Sequence, residues 1–243
     1  MYRNSVDVFR RYLSAQSLPA REPPRIPKPA ITISRQAGAG ALTVANLVAQ
    51  QLDLDCQGDP PCPWAVFDRN LVTKILEDHN LSTEMEQFMP EDTRFPLTEA
   101  LESLLGLHPS SWMLRKHAKD TIRKLAAIGN VLLVGRGAAI ITALFPRVLH
   151  VRLIAPIPFR VRNFAEFHRI TAEKATRLVQ ETDEARRRYV QSYLGADPSD
   201  PLHYHLVINT ERVGFQRAAR IISGALMDRI TRNDQQKQVI YAK

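Results

Sequence analysis

Ala30-Ile-Thr-Ile-Ser-Arg-Gln-Ala-Gly-Ala-Gly-Ala-Leu-Thr43 passes from a β-branched run through a glycine turn into a helical pattern, with Leu42, Ala45, Val48, Ala49 and Leu52 at helical spacing. A strand that runs through glycine into a helix is the repeating unit of a parallel sheet. The alternation continues along the chain. Trp64-Ala-Val-Phe67, Val131-Leu-Leu-Val134, Val148-Leu-His-Val-Arg-Leu-Ile154 and His205-Leu-Val-Ile208 read as further strands, mostly apolar and separated by helical segments. Strands that are apolar throughout are those buried on both faces. An α/β fold is therefore expected, a three-layer arrangement with a five-stranded parallel sheet and helices on both faces. In such sheets the ligand sits at the carboxyl ends of the strands. Here four of the five strands end in polar or glycine-rich segments: Ser34-Arg-Gln, Asp68-Arg-Asn, Gly135-Arg-Gly and Asn209-Thr-Glu-Arg.

The helices between them have readable ends. Trp112 to Ile128 is stopped by Gly129-Asn130, and Pro156 and Pro158 open the helix after the fourth strand. Thr182 to Leu194 reads as a helix with Thr182 as N-cap and Gly195 as its stop, and Phe215 to Ile230 as the last helix. Before the first strand, Asp7 to Leu18 is amphipathic, and five prolines fall within the eleven residues Pro19 to Pro29. Proline fixes φ and removes a donor, so that run is an extended linker. The organisation expected is an N-terminal helix and linker over residues 1–29, a domain over 30–235 and a tail over 236–243.

At 243 residues, with 44% hydrophobic and 24% charged, the chain has the composition of a soluble globular protein. No apolar run approaches the ~18 residues that span a bilayer, so no membrane partner is expected. The first thirty residues lack the continuous apolar core of a secretory leader. Cys56 and Cys62 lie among Pro60, Pro61 and Pro63 with no second pair and no nearby histidine. They read as loop thiols in a reducing compartment, which makes the cytoplasm the expected location.

The formal net charge is +8. From Arg147 to Tyr189 there are ten Arg or Lys against five Asp or Glu. A nucleic-acid binder spreads its positive charge along a continuous face, whereas a cluster in one segment suits a compact polyanion such as a nucleotide. The plain alternative is a solvated, arginine-rich helical face.

The glycine turn has the makings of a phosphate cradle. Small residues let backbone N–H groups close on oxygen, and the helix that follows offers the positive end of its dipole. The full motif is glycine, four residues, then Gly-Lys-Ser/Thr. With Gly40 as the second glycine, Arg35 falls on the first, Ala41 on the lysine and Leu42 on the hydroxyl, with Thr43 one residue further. The backbone cradle survives without its lysine, so another cation must supply that charge.

Together, Ile33-Ser-Arg-Gln-Ala-Gly-Ala-Gly40, Phe67-Asp-Arg-Asn-Leu71, Val134-Gly-Arg-Gly137, Asp183-Glu-Ala-Arg-Arg-Arg-Tyr189 and Leu206-Val-Ile-Asn-Thr210 resemble the cytidylate kinase-like family, within the P-loop nucleoside monophosphate kinases. The resemblance runs from about Ala30 to Ile222. The family pattern in the loop is Ser-Arg-x-x-Gly-Ser-Gly-Gly-Arg, already without the lysine, and this chain departs further at Ala41 and Leu42. It implies a P-loop NTPase-like fold with a small helical lid over about residues 157–197. The implied reaction moves the γ-phosphoryl of ATP, with Mg2+, onto a nucleotide such as CMP. Inactive nucleotide binding on the same fold is the other reading that the missing lysine leaves open.

The resemblance also implies roles. Arg35, Arg160, Arg186 and Asp183 are the catalytic candidates, the last two in the lid's Asp-x-x-Arg spacing, which places them on neighbouring surface of a helix. Gln36, Ala37, Gly38, Ala39, Gly40, Ala41, Leu42 and Thr43 would hold the ATP phosphates, Thr43 would reach the metal, and Asn209 and Thr210 would lie by the ATP base. Asp68, Arg69 and Arg136 would face the acceptor, Arg136 holding its phosphate, although Asp68 fits a helix N-cap equally well. Where cytidylate kinases carry Gly-Arg-Asp, this chain has Gly137 in place of the aspartate. Tyr189 and Tyr193 read as packing residues, His203 and His205 as structural ones. Self-association through the N-terminal helix is the expected protein contact.

Overall fold

The computed structural model of the protein describes residues 28–55, 63–68, 119 and 122–241. The N-terminal helix, most of the linker, both cysteines, Arg69, the acidic segment 80–111 and the last two residues of the tail lie outside the described residues.

Five strands form one parallel sheet: β1 (Ala30–Arg35), β2 (Ala65–Phe67), β3 (Val131–Val134), β4 (Val148–Ile154) and β5 (Leu206–Asn209), in the order β2-β3-β1-β4-β5. Each strand expected from the sequence is present within a residue or so. β1 has β3 on one side and β4 on the other, so the strand order reverses at its carboxyl end. That crevice is where open α/β sheets place ligands.

The connecting helices are α1 (Ala41–Asp55), a run over residues 122–128, α2 (Ala138–Ile141), α3 (Ile157–His168), α4 (Ala172–Leu194), α5 (Thr210–Val213) and α6 (Phe215–Tyr241). A 3-10 turn, Pro201–His203, leads into β5. The helix expected to start at Thr182 begins ten residues earlier. Arg169 ends α3 in the left-handed region at φ 54, and Thr171 caps α4 by accepting from the Lys174 amide at 3.4 Å. Residues 172–181 contain no helix breaker, so Thr182 sits inside a continuous helix, and Gly195 ends it as expected. The last helix runs on past Ile230 to Tyr241.

Side chains alternate across a strand, and the two faces of this sheet differ. Ile31, Ile33, Leu132, Val134, Leu149, Val151 and Leu153 join Val44, Ala45, Val48 and Leu52 of α1 and Ala218, Ala219, Ile222 and Leu226 of α6 in one aliphatic core. Burying each such side chain contributes roughly 1.5–3 kcal/mol, which fixes α1 and α6 against that face. Ile122, Leu125 and Ala126, with Ala138 and Ala139 of α2, are buried outside this cluster. The opposite face of β1 and β4 carries polar pairs in register, Thr32 beside His150 and Ser34 beside Arg152.

Candidate active site

The loop between β1 and α1 is shaped by close neighbours. Gly38 and Gly40 sit at φ +77 and +75, and a Cβ on them would strike the Arg160 carbonyl and the Phe215 ring respectively. Only glycine takes such a conformation at no steric cost, and here the space is closed as well. The first turns of α3 and α6 are therefore pressed onto the loop.

Most of the loop's backbone is held from outside. The Ala37 carbonyl accepts from Arg160 Nη1 at 3.2 Å and the Gly38 carbonyl from Asn163 Nδ2 at 3.3 Å. The fully buried Thr210 hydroxyl donates to the Ala39 carbonyl at 3.1 Å, with the Ile154 carbonyl at 3.3 Å. Gln36 donates its amide to the Leu153 carbonyl, and its side-chain oxygen accepts from the Ala155 amide. With these carbonyls occupied, the amides of Gly38 and Gly40 and the first-turn amides of Ala41, Leu42 and Thr43, which have no intrahelical partner, form the anion-binding end of α1. No acidic side chain occupies that first turn. The Ala37 amide is the exception: it donates to Asp183 Oδ1 at 2.7 Å.

Beside the loop, a cavity of about 330 Å³ opens between the carboxyl ends of β1, β3 and β4 and the flank of α4. Arg35, Arg136, Arg152, Arg160 and Arg186 line it around Asp183. Burial, then the charges of Arg186 and Arg136, push Arg35 down to about 9, against the pull of Asp68 and Asp183. Burial also pushes Arg186 down to about 10; Asp183 supports its charge, while Arg136, Arg152 and Arg160 oppose it. Like charges crowded into a half-buried space are unfavourable until an anion enters, which makes this cavity the candidate site.

Each arginine is placed differently. Arg160, only 5% exposed, donates Nε to the Ala155 carbonyl at 2.8 Å and pairs through Nη1 with Asp183 Oδ2 at 2.5 Å. Its guanidinium is committed to holding α3, α4 and the loop together. Arg186 lies 3.7 Å from Asp183, and its Nε is buried with no hydrogen-bond partner among the described residues. Arg136 lies over the Tyr189 ring at 5.5 Å, and Tyr189 meets Tyr193 edge to face at 4.8 Å. Arg187, on the cavity's rim, and Arg188 pair with Glu184, which also lines the cavity.

Of the residues singled out in the sequence, Arg35, Arg136, Arg160, Asp183 and Arg186 converge on one cavity. Asp68, at the end of β2, comes within electrostatic reach of Arg35. Thr43 lies in the first turn of α1, half-buried. Asn209 caps α5, its Oδ1 accepting from the amides of Glu211 and Arg212. Arg152, Ser34 and Tyr204 were not singled out. Arg152 donates to Ser34 Oγ at 3.1 Å and lies over the Tyr204 ring at 5.6 Å, and the Tyr204 hydroxyl reaches Ser34 Oγ and the Pro198 carbonyl. The signal was an arginine, two residues after a histidine, inside a strand that is apolar elsewhere.

This strand order, with a glycine loop entering a helix N-terminus below an arginine-lined crevice, is that of a P-loop NTPase-like α/β protein. The chain belongs to the cytidylate kinase-like family, whose model matches residues 30–212. A cytidylate kinase from Methanopyrus kandleri is 30% identical over 122 residues, covering 46% of this chain and 62% of that protein, so the chain spans less than two thirds of that relative's length. The structure of an uncharacterized protein from Eubacterium ventriosum superposes with a TM-score of 0.60 at 16% identity, over 83% of this chain and 99% of its own, a likeness of fold. Among the described residues no helix is long and apolar enough to cross a membrane. No group of three or more His, Cys, Asp or Glu among them is placed to hold a metal ion.

Proposed function

We propose that the protein transfers the γ-phosphoryl of ATP to a nucleoside monophosphate such as CMP. The observation that carries this reading is the crowding of Arg35, Arg136 and Arg186 at the carboxyl end of β1. Phosphoryl transfer asks little covalent chemistry of a protein; it asks for positioning and for positive charge around the equatorial oxygens. Arginine suits this because its planar fork stays charged and grips phosphate at two points.

In this reading Arg136, braced on Tyr189, holds the acceptor phosphate, and Asp68 and Arg69 face the acceptor nucleoside. Arg35 and Arg186 provide the charge that a loop lysine otherwise brings, since Ala41 stands in the lysine's place. The donor phosphates suit the amides of the loop and the unpartnered Nε of Arg186, with Asn209 and Thr210 at the base end. Asp183 and Arg160 position the α3–α4 pair, residues about 157–197, as a lid over the loop. For Mg2+ the fit is thinner: Thr43 is the hydroxyl in reach, and the ion would contribute charge neutralisation between the phosphates. The protein would work in the cytoplasm on free nucleotides, with self-association through its N-terminal helix and with no nucleic acid or membrane as partner.

The test is to incubate the protein with Mg-ATP and each ribo- and deoxyribonucleoside monophosphate and to follow diphosphates by chromatography, with Arg136→Ala as control. Turnover with one acceptor, reduced at least a hundredfold in the control, is expected. ATP binding seen directly without turnover for any acceptor overturns the enzyme. It would leave a nucleotide-binding regulator of the same fold, which Ala41, Leu42 and the carboxylate of Asp183 on the Ala37 amide favour.

A further inference from the structure

The cavity has two arginines seated on tyrosine rings, on opposite sides of β1. Arg136 follows β3 and lies on Tyr189, at 5.5 Å; Arg152 lies within β4 and on Tyr204, at 5.6 Å. β3 and β4 flank β1, so the two backbones stand two strand spacings apart, roughly 9–10 Å. Arg35 and Arg186 line the same cavity, and Arg136 depresses both of them, whereas Arg152 acts on Arg186.

Arg152 also differs in its support. It makes one hydrogen bond, to Ser34, and no ion pair among the described residues. The carboxylate that faces it, Asp197, is exposed and held by the Ser199 hydroxyl and amide at 2.6 and 2.8 Å. A guanidinium has five N–H groups in a rigid fork. Fixed by ring and hydroxyl, Arg152 keeps most of that fork for the cavity. In the reading above, Arg136 on the other side of β1 already holds the acceptor phosphate, and Arg35 and Arg186 serve the donor phosphates.

We propose that the acceptor carries two anionic groups, and that Arg152, braced by Tyr204 and Ser34, binds the one remote from the phosphoryl-accepting group. The chemical class is a phosphorylated nucleoside with a second phosphate or equivalent anion elsewhere on the sugar. The inference rests on the nucleotide reading above and deepens it by naming the acceptor class.

The test is calorimetric binding, without ATP, of cytidine 5′-monophosphate and cytidine 3′,5′-bisphosphate to the full chain, to Arg152→Ala and to Arg152→Lys. Thermal melting checks that each variant is folded. The wild type is expected to prefer the bisphosphate by roughly 10- to 100-fold, the worth of one charge-assisted clamp. In Arg152→Ala the ratio should fall to about one, and Arg152→Lys, keeping charge without the fork, should fall between. Equal affinity for the two ligands in the wild type overturns the proposal while leaving the nucleotide reading intact. So does a preference that survives in Arg152→Ala. Binding of neither ligand overturns the nucleotide reading itself.

Discussion

The two faces of the central sheet are built from the same strands and do opposite things. On the α1–α6 face, Ile31, Ile33, Val151 and Leu153 are fully buried among aliphatic neighbours. One residue along each strand, Thr32 shares a 2.9 Å hydrogen bond with His150, and Ser34 accepts from Arg152. The aliphatic face holds the fold through area removed from water, which tolerates no lost volume. The polar face contributes little net stability per hydrogen bond, about 1 kcal/mol, and instead delivers fixed polar groups to the cavity.

The sharpest way to break this comparison is to truncate neighbours on one strand. Leu153→Ala on the aliphatic face should cost about 2–5 kcal/mol in urea unfolding, through lost transfer energy plus a cavity. Arg152→Ala on the other face should change stability by no more than about 1 kcal/mol. Equal losses would mean that both faces are structural.

Acid provides the next largest effect. The ring of His205 stacks on that of His150 at 4.9 Å, and its Nδ1 accepts the His150 amide at 2.9 Å. Burial first, then the charges of His205 and Arg229, push His150 down to about 4, with the nearby Thr142 backbone acting the other way. Burial and Arg229 lower His205 as well. A histidine whose folded value lies below its unfolded one keeps the folded state neutral, so between about pH 6.5 and 4 the unfolded chain binds more protons. Stability therefore falls as pH falls through that window, by about 3 kcal/mol for His150. Urea midpoints from pH 7.5 to 4.5 check this, and His150→Asn should flatten the slope. An unchanged slope in that variant would place the titration elsewhere.

These two faces also explain what the sequence disclosed. The strands were legible because Val131-Leu-Leu-Val134 is apolar throughout and its counterparts mostly so, and the crevice because four strands end in polar or glycine residues. Arg136 and Asp183 could be placed through family spacing. Arg152, Tyr204 and the His150–His205 stack were not legible, since their meaning depends on pairing across strands far apart in sequence: Ser34 and Arg152 are 118 residues apart. The start of α4 was missed because a threonine within a helix looks the same in sequence as one that caps it. What separates them is the left-handed Arg169 two residues before the true cap, Thr171.

A smaller effect is expected where the loop meets its supports. Gly38→Ala places a methyl group against the Arg160 backbone at a φ that alanine rarely adopts. It should cost about 1–3 kcal/mol and loosen the Arg160–Asp183 pairing that rests on the same contact. ATP affinity measured alongside melting should fall by more than stability does. A pure stability loss with intact nucleotide binding would show that the loop's geometry is not what binds the phosphates.

Thr210 supplies the finest distinction, because it joins the loop to the sheet through one hydroxyl. That hydroxyl is fully buried and is shared between the Ala39 and Ile154 carbonyls, so it ties the glycine turn to the end of β4. Thr210→Val keeps the shape and removes the donor, leaving buried carbonyl oxygens short of a partner. The expected loss is about 1 kcal/mol, a melting decrease of roughly 2–4 °C for a chain of this size. Thr210→Ser retains the hydroxyl and should recover most of it. If Val and Ser behave alike, packing alone holds the loop to the sheet. If Val also weakens ATP binding while Ser does not, the hydroxyl fixes the position of the loop's amides, and β4 reaches the site from the aliphatic side as well as through Arg152.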